Sequence, residues 1–197
     1  MMMDHRSYVG SSGEFDRMGK WQFDYVTPKI TKKTRFLDLG CGSMRLGKHL
    51  IPWLNKGKYI GLDRNQQMID AGIQQELQPN TVEKKAPQYV ATTTWDMSNI
   101  KPVDFVWAQA VFNHINIESI QACLRELKNV MHSNSVFYFT YWPGVYNPQA
   151  DDTYTMSKIN VYKTPEQMSE TFAEFGFTVE HTEEKTILGQ SISRATL

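Results

Sequence analysis

The chain has 197 residues, 21 basic and 21 acidic, so its formal net charge is zero. At about 150 residues per domain the length suits one compact domain, and a 41% hydrophobic share against 21% charged excludes a disordered chain. Neutrality removes the long-range attraction that brings proteins to phosphate backbones or anionic bilayers, which disfavours nucleic acid as a partner.

The first pattern is an amphipathic helix on which Phe15, Met18, Trp21, Gln22 and Tyr25 recur every three to four residues. A lysine-rich loop, Thr27 to Thr34, separates it from a strand at Arg35 to Leu39. A glycine-rich turn follows, then a helix around Leu46, Leu50 and Leu54 that Pro52 kinks or ends, and a second strand from Lys58 to Leu62. The alternation continues with a helix around Met68, Ile69 and Ile73 and strands at Tyr89 to Trp95 and Asp104 to Val111. Glu118 to Met131 carries one apolar stripe of Ile120, Leu124, Leu127 and Met131, and Ser135 to Trp142 reads as a buried aromatic strand. Pro143 to Asn160 has no period and is long enough to be a functional loop. A helix from Thr164 through Phe172 and two strands, Thr178 to Glu184 and Ser191 to Leu197, close the chain. Seven strands joined by crossover helices predict an α/β fold, with 1–34 as an N-terminal lid segment and linker and 35–197 as the main domain.

Cys41 and Cys123 fall in a loop and a helix pattern, far apart, which argues against a disulfide and offers no metal-ligand spacing. The first ten residues lack the apolar core of a secretory signal, and no stretch approaches the ~18 apolar residues of a membrane span. The expectation is a cytoplasmic chain with no membrane partner and no metal; its oligomeric state is not legible.

The strongest chemical signal is Phe36-Leu37-Asp38-Leu39-Gly40-Cys41-Gly42-Ser43, an apolar strand running into two glycines and then a helix. Glycines there let a ligand approach the backbone, and the helix start favours an anionic group. A second acid, Asp63, ends the next strand, where in open α/β sheets a carboxylate reaches a ribose. Taken singly, Gly-x-Gly could be any tight turn, and Asp63 or Asp96 could cap a helix; their shared placement at successive strand ends implies a nucleoside-containing ligand.

These residues resemble the class I S-adenosylmethionine-dependent methyltransferases, specifically the small bacterial-type members, over Arg35 to Trp142. The resemblance implies a Rossmann-like, seven-stranded, mostly parallel sheet with helices on both faces, plus an N-terminal lid helix. It places Asp38, Gly40, Cys41 and Gly42 at the methionine part of the cofactor, Asp63 with Arg64 at the ribose, and Trp95, Asp96 and Met97 at the adenine. Ala108 and Gln109, at the fourth strand's end, would run beside the sulfur. Tyr8-Val9-Gly10 and the following helix resemble a segment that closes over the cofactor. Two positions depart from the family pattern: Met44 stands where a third glycine is common, and His132-Ser133-Asn134 replaces a Pro-Gly turn before strand five.

His114 is the histidine expected near the reaction face, as a general base or as a merely structural group. Trp21, Tyr141, Trp142 and Tyr146 are the expected substrate wall, on the carboxyl edge of the sheet where ligands of such folds bind. Ala108-Gln109-Ala110 lacks both the Pro-Pro-aromatic signature of base-amine methylation and an acid for a hard cation. The expected reaction is in-line methyl transfer, without metal, to an O or N atom of a small molecule. An NAD-dependent oxidoreductase and a non-catalytic nucleoside-binding protein are the alternatives.

Overall fold

The computed structural model describes residues 4–10, 12–144 and 161–197. In chain order the first half runs α1 (His5–Tyr8), α2 (Phe15–Val26), β1 (Phe36–Leu39), α3 (Gly47–Trp53), β2 (Tyr59–Asp63), α4 (Gln66–Glu76), α5 (Thr81–Lys85) and β3 (Gln88–Ala91). The second runs β4 (Val103–Ala108), α6 (Ile117–Val130), β5 (Met131–Tyr141), α7 (Pro165–Ala173), β6 (Thr178–Lys185) and β7 (Ser191–Thr196). The strand order is β3-β2-β1-β4-β5-β7-β6. This is the Rossmann-like, mostly parallel sheet, with β7 antiparallel to both β5 and β6. Among the described residues no helix is long and apolar enough to cross a membrane.

The chain divides into two compact units, 1–93 and 94–197. In the first, β1 is buried at every position and pairs in parallel with β2, which pairs in parallel with β3. A strand covered on both faces reads as the continuous apolar run seen in its sequence. Pro52 sits inside α3, which ends one residue later. α4 is capped by Asn65, whose side chain accepts from the amides of Gln67 and Met68.

In the second unit β4 and β5 are parallel, and their register shifts between Val103 and Phe105. That shift absorbs His132-Ser133-Asn134: β5 already begins at Met131, four residues before the expected start, and the Ser135 hydroxyl donates to Val103 O at 2.7 Å. β3, by contrast, stops at Ala91, so Trp95 lies outside it in a left-handed conformation (φ 64°). α7 opens on a reciprocal cap in which Thr164 and Gln167 exchange side-chain and backbone bonds.

Much of the aromatic excess is core. Phe112, Phe137, Phe139 and Phe172 are each fully buried, with the Phe139 and Phe172 rings stacked at 4.7 Å. Removing a ring from such a cluster costs both transfer energy and a cavity. Phe172→Ala is expected to lower unfolding stability by about 3–5 kcal/mol, read from the urea midpoint; a change below about 1 kcal/mol would contradict this packing.

Candidate functional site

In the first unit the turn after β1 folds back onto the end of β2. The amides of Gly40 and Cys41 both donate to Leu62 O, at 2.7 and 3.0 Å. The Gly42 amide donates to Asp63 Oδ2 at 2.8 Å. Gly40 and Gly42 take φ of 75° and 52°, a region in which a side chain is strained. A Cβ on Gly42 would also collide with Val9 Cγ1, because the N-terminal segment lies on the turn. Cys41 packs its buried thiol against Gly61, and burial pushes its pKa well above the ordinary value.

Both acids of this turn are nearly closed off from solvent. Asp38 accepts from the Tyr59 hydroxyl at 2.7 Å, yet burial raises its carboxyl to about 7 against that bond. Asp63 also accepts from the Asn65 amide at 2.9 Å. Burial raises its pKa, opposed by the amides of Asn65, Gly42 and Arg64. Both Asp63 oxygens thus hold backbone donors, and the carboxylate, with about four lone-pair sites, keeps capacity for a hydroxyl group of a ligand. The Arg64 side chain is exposed.

The N-terminal segment is fastened by charges that sequence patterning did not single out. Glu76 on α4 accepts from His5 Nε2 at 2.8 Å, Arg6 Nε at 2.6 Å and Lys48 Nζ at 2.8 Å. Asp16 takes second bonds from Arg6 and Lys48. The Ser43 hydroxyl donates to His5 O, and Arg45 Nη1 to Val9 O, so residues of the turn hold the segment directly. These partners lie tens of positions apart, beyond any local pattern. Trp21, on α2, stacks on Tyr25 at 5.3 Å.

In the second unit Trp95 is half-buried, Asp96 exposed and Met97 buried. Asp96 Oδ1 accepts from the Ser98 amide at 2.9 Å, which with the Ser98 hydroxyl lowers its pKa. Ala108 is fully buried at the end of β4. Gln109 Nε2 donates to Gln190 Oε1 at 2.6 Å. His114 follows the 3-10 turn Val111–Asn113; burial, then the Lys163 ammonium, lower its pKa.

Lys163, fully buried, donates to the carbonyls of Phe112 (2.6 Å), Ile115 and Val161 (3.0 Å). Asn113 Oδ1 accepts from the Trp142 amide at 2.8 Å, and Asn113 O from the Val161 amide at 2.7 Å. The His114 turn is therefore tied to both chain ends that flank residues 145–160. Nothing in the sequence marks Lys163 or Asn113 for this role. Tyr141 is 1% exposed, with its hydroxyl 3.4 Å from His181 Nδ1. Trp142 lays its indole against Gly189, and Tyr146 lies outside the described residues.

A family model described as a methyltransferase domain matches residues 30–196. No curated protein sequence matches the chain. The fold is similar to magnesium protoporphyrin IX methyltransferase (ChlM) from Synechocystis PCC 6803 with bound SAH, at TM-score 0.70 and 15% identity, covering 97% of this chain and 91% of that one. It is similar to a S-adenosylmethionine-dependent methyltransferase from Clostridium acetobutylicum ATCC 824, at TM-score 0.66 and 10% identity, covering 98% and 96%. The glycopeptide N-methyltransferase MtfA, complexed with SAM, is similar at TM-score 0.65 and 11% identity, covering 89% and 86%.

The Glu76 bonds predict an acid limit. Burial alone would raise its pKa, but the bonds from Arg6, Lys48 and His5 hold it at about 2 against 4.5. Its stabilisation is therefore complete above the unfolded value and is lost as pH falls from about 4.5 towards 2. Glu76→Gln should lower stability at pH 7 by about 2 kcal/mol and flatten the acid limb of a thermal unfolding series; an unchanged limb would contradict the assignment. With the fold, the glycine turn and the acid at the end of β2 on one chain whose family model spans most of its length, the chain belongs to the methyltransferase domain family, as a class I S-adenosylmethionine-dependent methyltransferase.

Proposed function

We propose that the chain transfers the methyl group of S-adenosylmethionine to an O or N atom of a small molecule, directly and without metal, in the cytoplasm. The observation that carries the cofactor assignment is the Gly40-Cys41-Gly42 turn bonded to Asp63 at the end of β2. A backbone bare of side chains offers close approach, and a buried carboxylate with remaining lone pairs suits paired ribose hydroxyls. When bound, the cofactor supplies an activated sulfonium methyl, so the protein's own task is chiefly to orient the acceptor and exclude water. Such positioning is worth ~7 to 11 kcal/mol of barrier.

In this reading Asp38, Gly40, Cys41 and Gly42 hold the methionine part, Asp63 and Arg64 the ribose, and Trp95, Asp96 and Met97 the adenine, with Ala108 and Gln109 near the sulfur. The N-terminal segment acts as a lid, its Val9 already resting on Gly42. His114 accepts the acceptor's proton: its lowered pKa keeps the imidazole neutral near pH 7. Trp21, Trp142 and Tyr146 are the candidates for the acceptor wall, whereas Tyr141, buried, belongs to the core. Support for a small acceptor comes from overall neutrality and from the uncharged end of β4, and that for a reducing compartment from two free, buried cysteines.

Asp63→Ala is expected to weaken S-adenosylhomocysteine binding at least tenfold by calorimetry; unchanged affinity would remove Asp63 from the ribose. His114→Ala should leave that affinity intact and slow turnover at least a hundredfold, measured as S-adenosylhomocysteine released with phenols or amines. An equal rate would make His114 structural.

A further inference from the structure

A short relay of polar groups in the second unit fixes which end of the Gln109 amide faces away from the protein's own bonds. It starts at a backbone donor. The Ala110 amide donates to Thr140 Oγ1 at 2.8 Å. Having accepted there, the fully buried Thr140 hydroxyl gives its own proton to Gln190 Oε1, at 2.9 Å. Gln190 must therefore present oxygen, and the group that meets this oxygen from Gln109 must be a donor: Nε2, at 2.6 Å. Rotating either amide would set donor against donor or leave a buried hydroxyl proton without an acceptor.

By elimination Gln109 Oε1 is the atom that the relay leaves without a donor. It is shut off from solvent and takes no hydrogen bond among the described residues. A buried acceptor without a donor is costly, and a ligand that supplies the donor removes that cost. Position says which ligand that is. Gln109 directly follows β4, and its amide is drawn across β5 to the turn Thr186–Gln190, which leads into β7. This turn also carries Gly189, on which the Trp142 indole lies, and exposes Ile187 and Leu188. The Gln109 oxygen thus sits beside this turn as a polar atom of fixed sign.

We infer that Gln109 Oε1 accepts a hydrogen bond from an O–H or N–H of the methyl acceptor, with Thr140 and Gln190 as positioning residues that lock its polarity. The inference rests on the methyltransferase reading and deepens it: the acceptor carries a hydrogen-bond donor at that point, and a fully alkylated or anionic group there is rejected. A donor matched to a desolvated acceptor discriminates more strongly than shape alone, because the analogue without it leaves the oxygen unpaired.

The test uses matched probes, phenol against anisole and benzylamine against N,N-dimethylbenzylamine, titrated by ligand-observed NMR into the whole chain saturated with S-adenosylhomocysteine. At least one donor should bind fivefold or more tighter than its methylated partner. With S-adenosylhomocysteine kept saturating, Gln109→Met should bring that ratio to one, and Gln190→Leu should do the same. Gln190→Glu should restore the ratio, since a carboxylate oxygen accepts from both Thr140 and Gln109, an outcome that a merely structural role for Gln190 does not predict. Equal binding within both pairs, or no binding of either donor, overturns the inference. So does a donor preference that survives in Gln109→Met, which would give the recognition to another group. The two readings fail separately: a wild type that does not bind S-adenosylhomocysteine sinks the methyltransferase reading and this inference with it, whereas one that binds it without donor preference sinks the inference alone.

Discussion

The hydrogen bond from the Gly42 amide to Asp63 joins two demands that conflict until that bond is made. The end of β2 must present a carboxylate, and the same strand end must be buried against β1 through the register Asp38 to Gly61 and Leu39 to Leu62. A buried carboxylate needs donors. The turn provides one of them as the Gly42 backbone amide, which costs no side-chain volume, and this requires the chain after β1 to fold back with left-handed residues. The paired glycines follow from that geometry. So does the fit of Val9 onto the turn, since the space a side chain would fill is where the N-terminal segment rests.

Met44 shows how the same constraint is met without the third glycine of the family pattern. It takes φ of 65°, the conformation a glycine would adopt freely. For a non-glycine residue this costs about 1–2 kcal/mol. What offsets it is packing: Met44 is fully buried, and its side chain fills the space that Gly47 and Gly72 leave open. A fully buried methionine contributes about 1.5–3 kcal/mol, so the strained residue is the more stable choice here. The departure from the pattern therefore changes what holds the turn and leaves its shape unaltered.

This contrast explains how far the sequence was legible. Both strand ends that carry acids, β1 with its glycines and β2 with Asp63, were readable because local spacing encodes them. The seven strands were readable from local pattern too, β1, β2 and most of β4 as buried runs and the largely exposed β6 as an alternating one. Boundaries failed where tertiary structure decides: α5 ends on a left-handed Ala86, which no propensity favours, and β5 gains four residues through a register shift with β4. The polar residues that brace the functional loops were invisible. Lys163 looks like any surface lysine until three carbonyls surround it, and Glu76 like any helix acid until three cations from elsewhere in the chain converge on it. The aromatic excess was legible as a number and ambiguous as a role: Phe137, Phe139, Phe172 and Tyr141 are core, while Trp142 faces the turn before β7.

The two units differ in how they fix polarity, and this has a chemical consequence. In the first, charge is used: carboxylates of Asp38 and Asp63 are held in low dielectric, so their ionisation shifts with burial and depends on pH. In the second, the sign at Gln109 is inherited from the Ala110 backbone amide through a hydroxyl and two carboxamides, none of which titrates in the physiological range. A proton-bearing acceptor would therefore be recognised equally across that range, and pH would act on its methylation only through groups that move protons. For an amine acceptor the two roles fall on different protons, one bonded to Gln109 and another left for a base, whereas the single proton of a hydroxyl cannot be held by Gln109 and taken by a base at once.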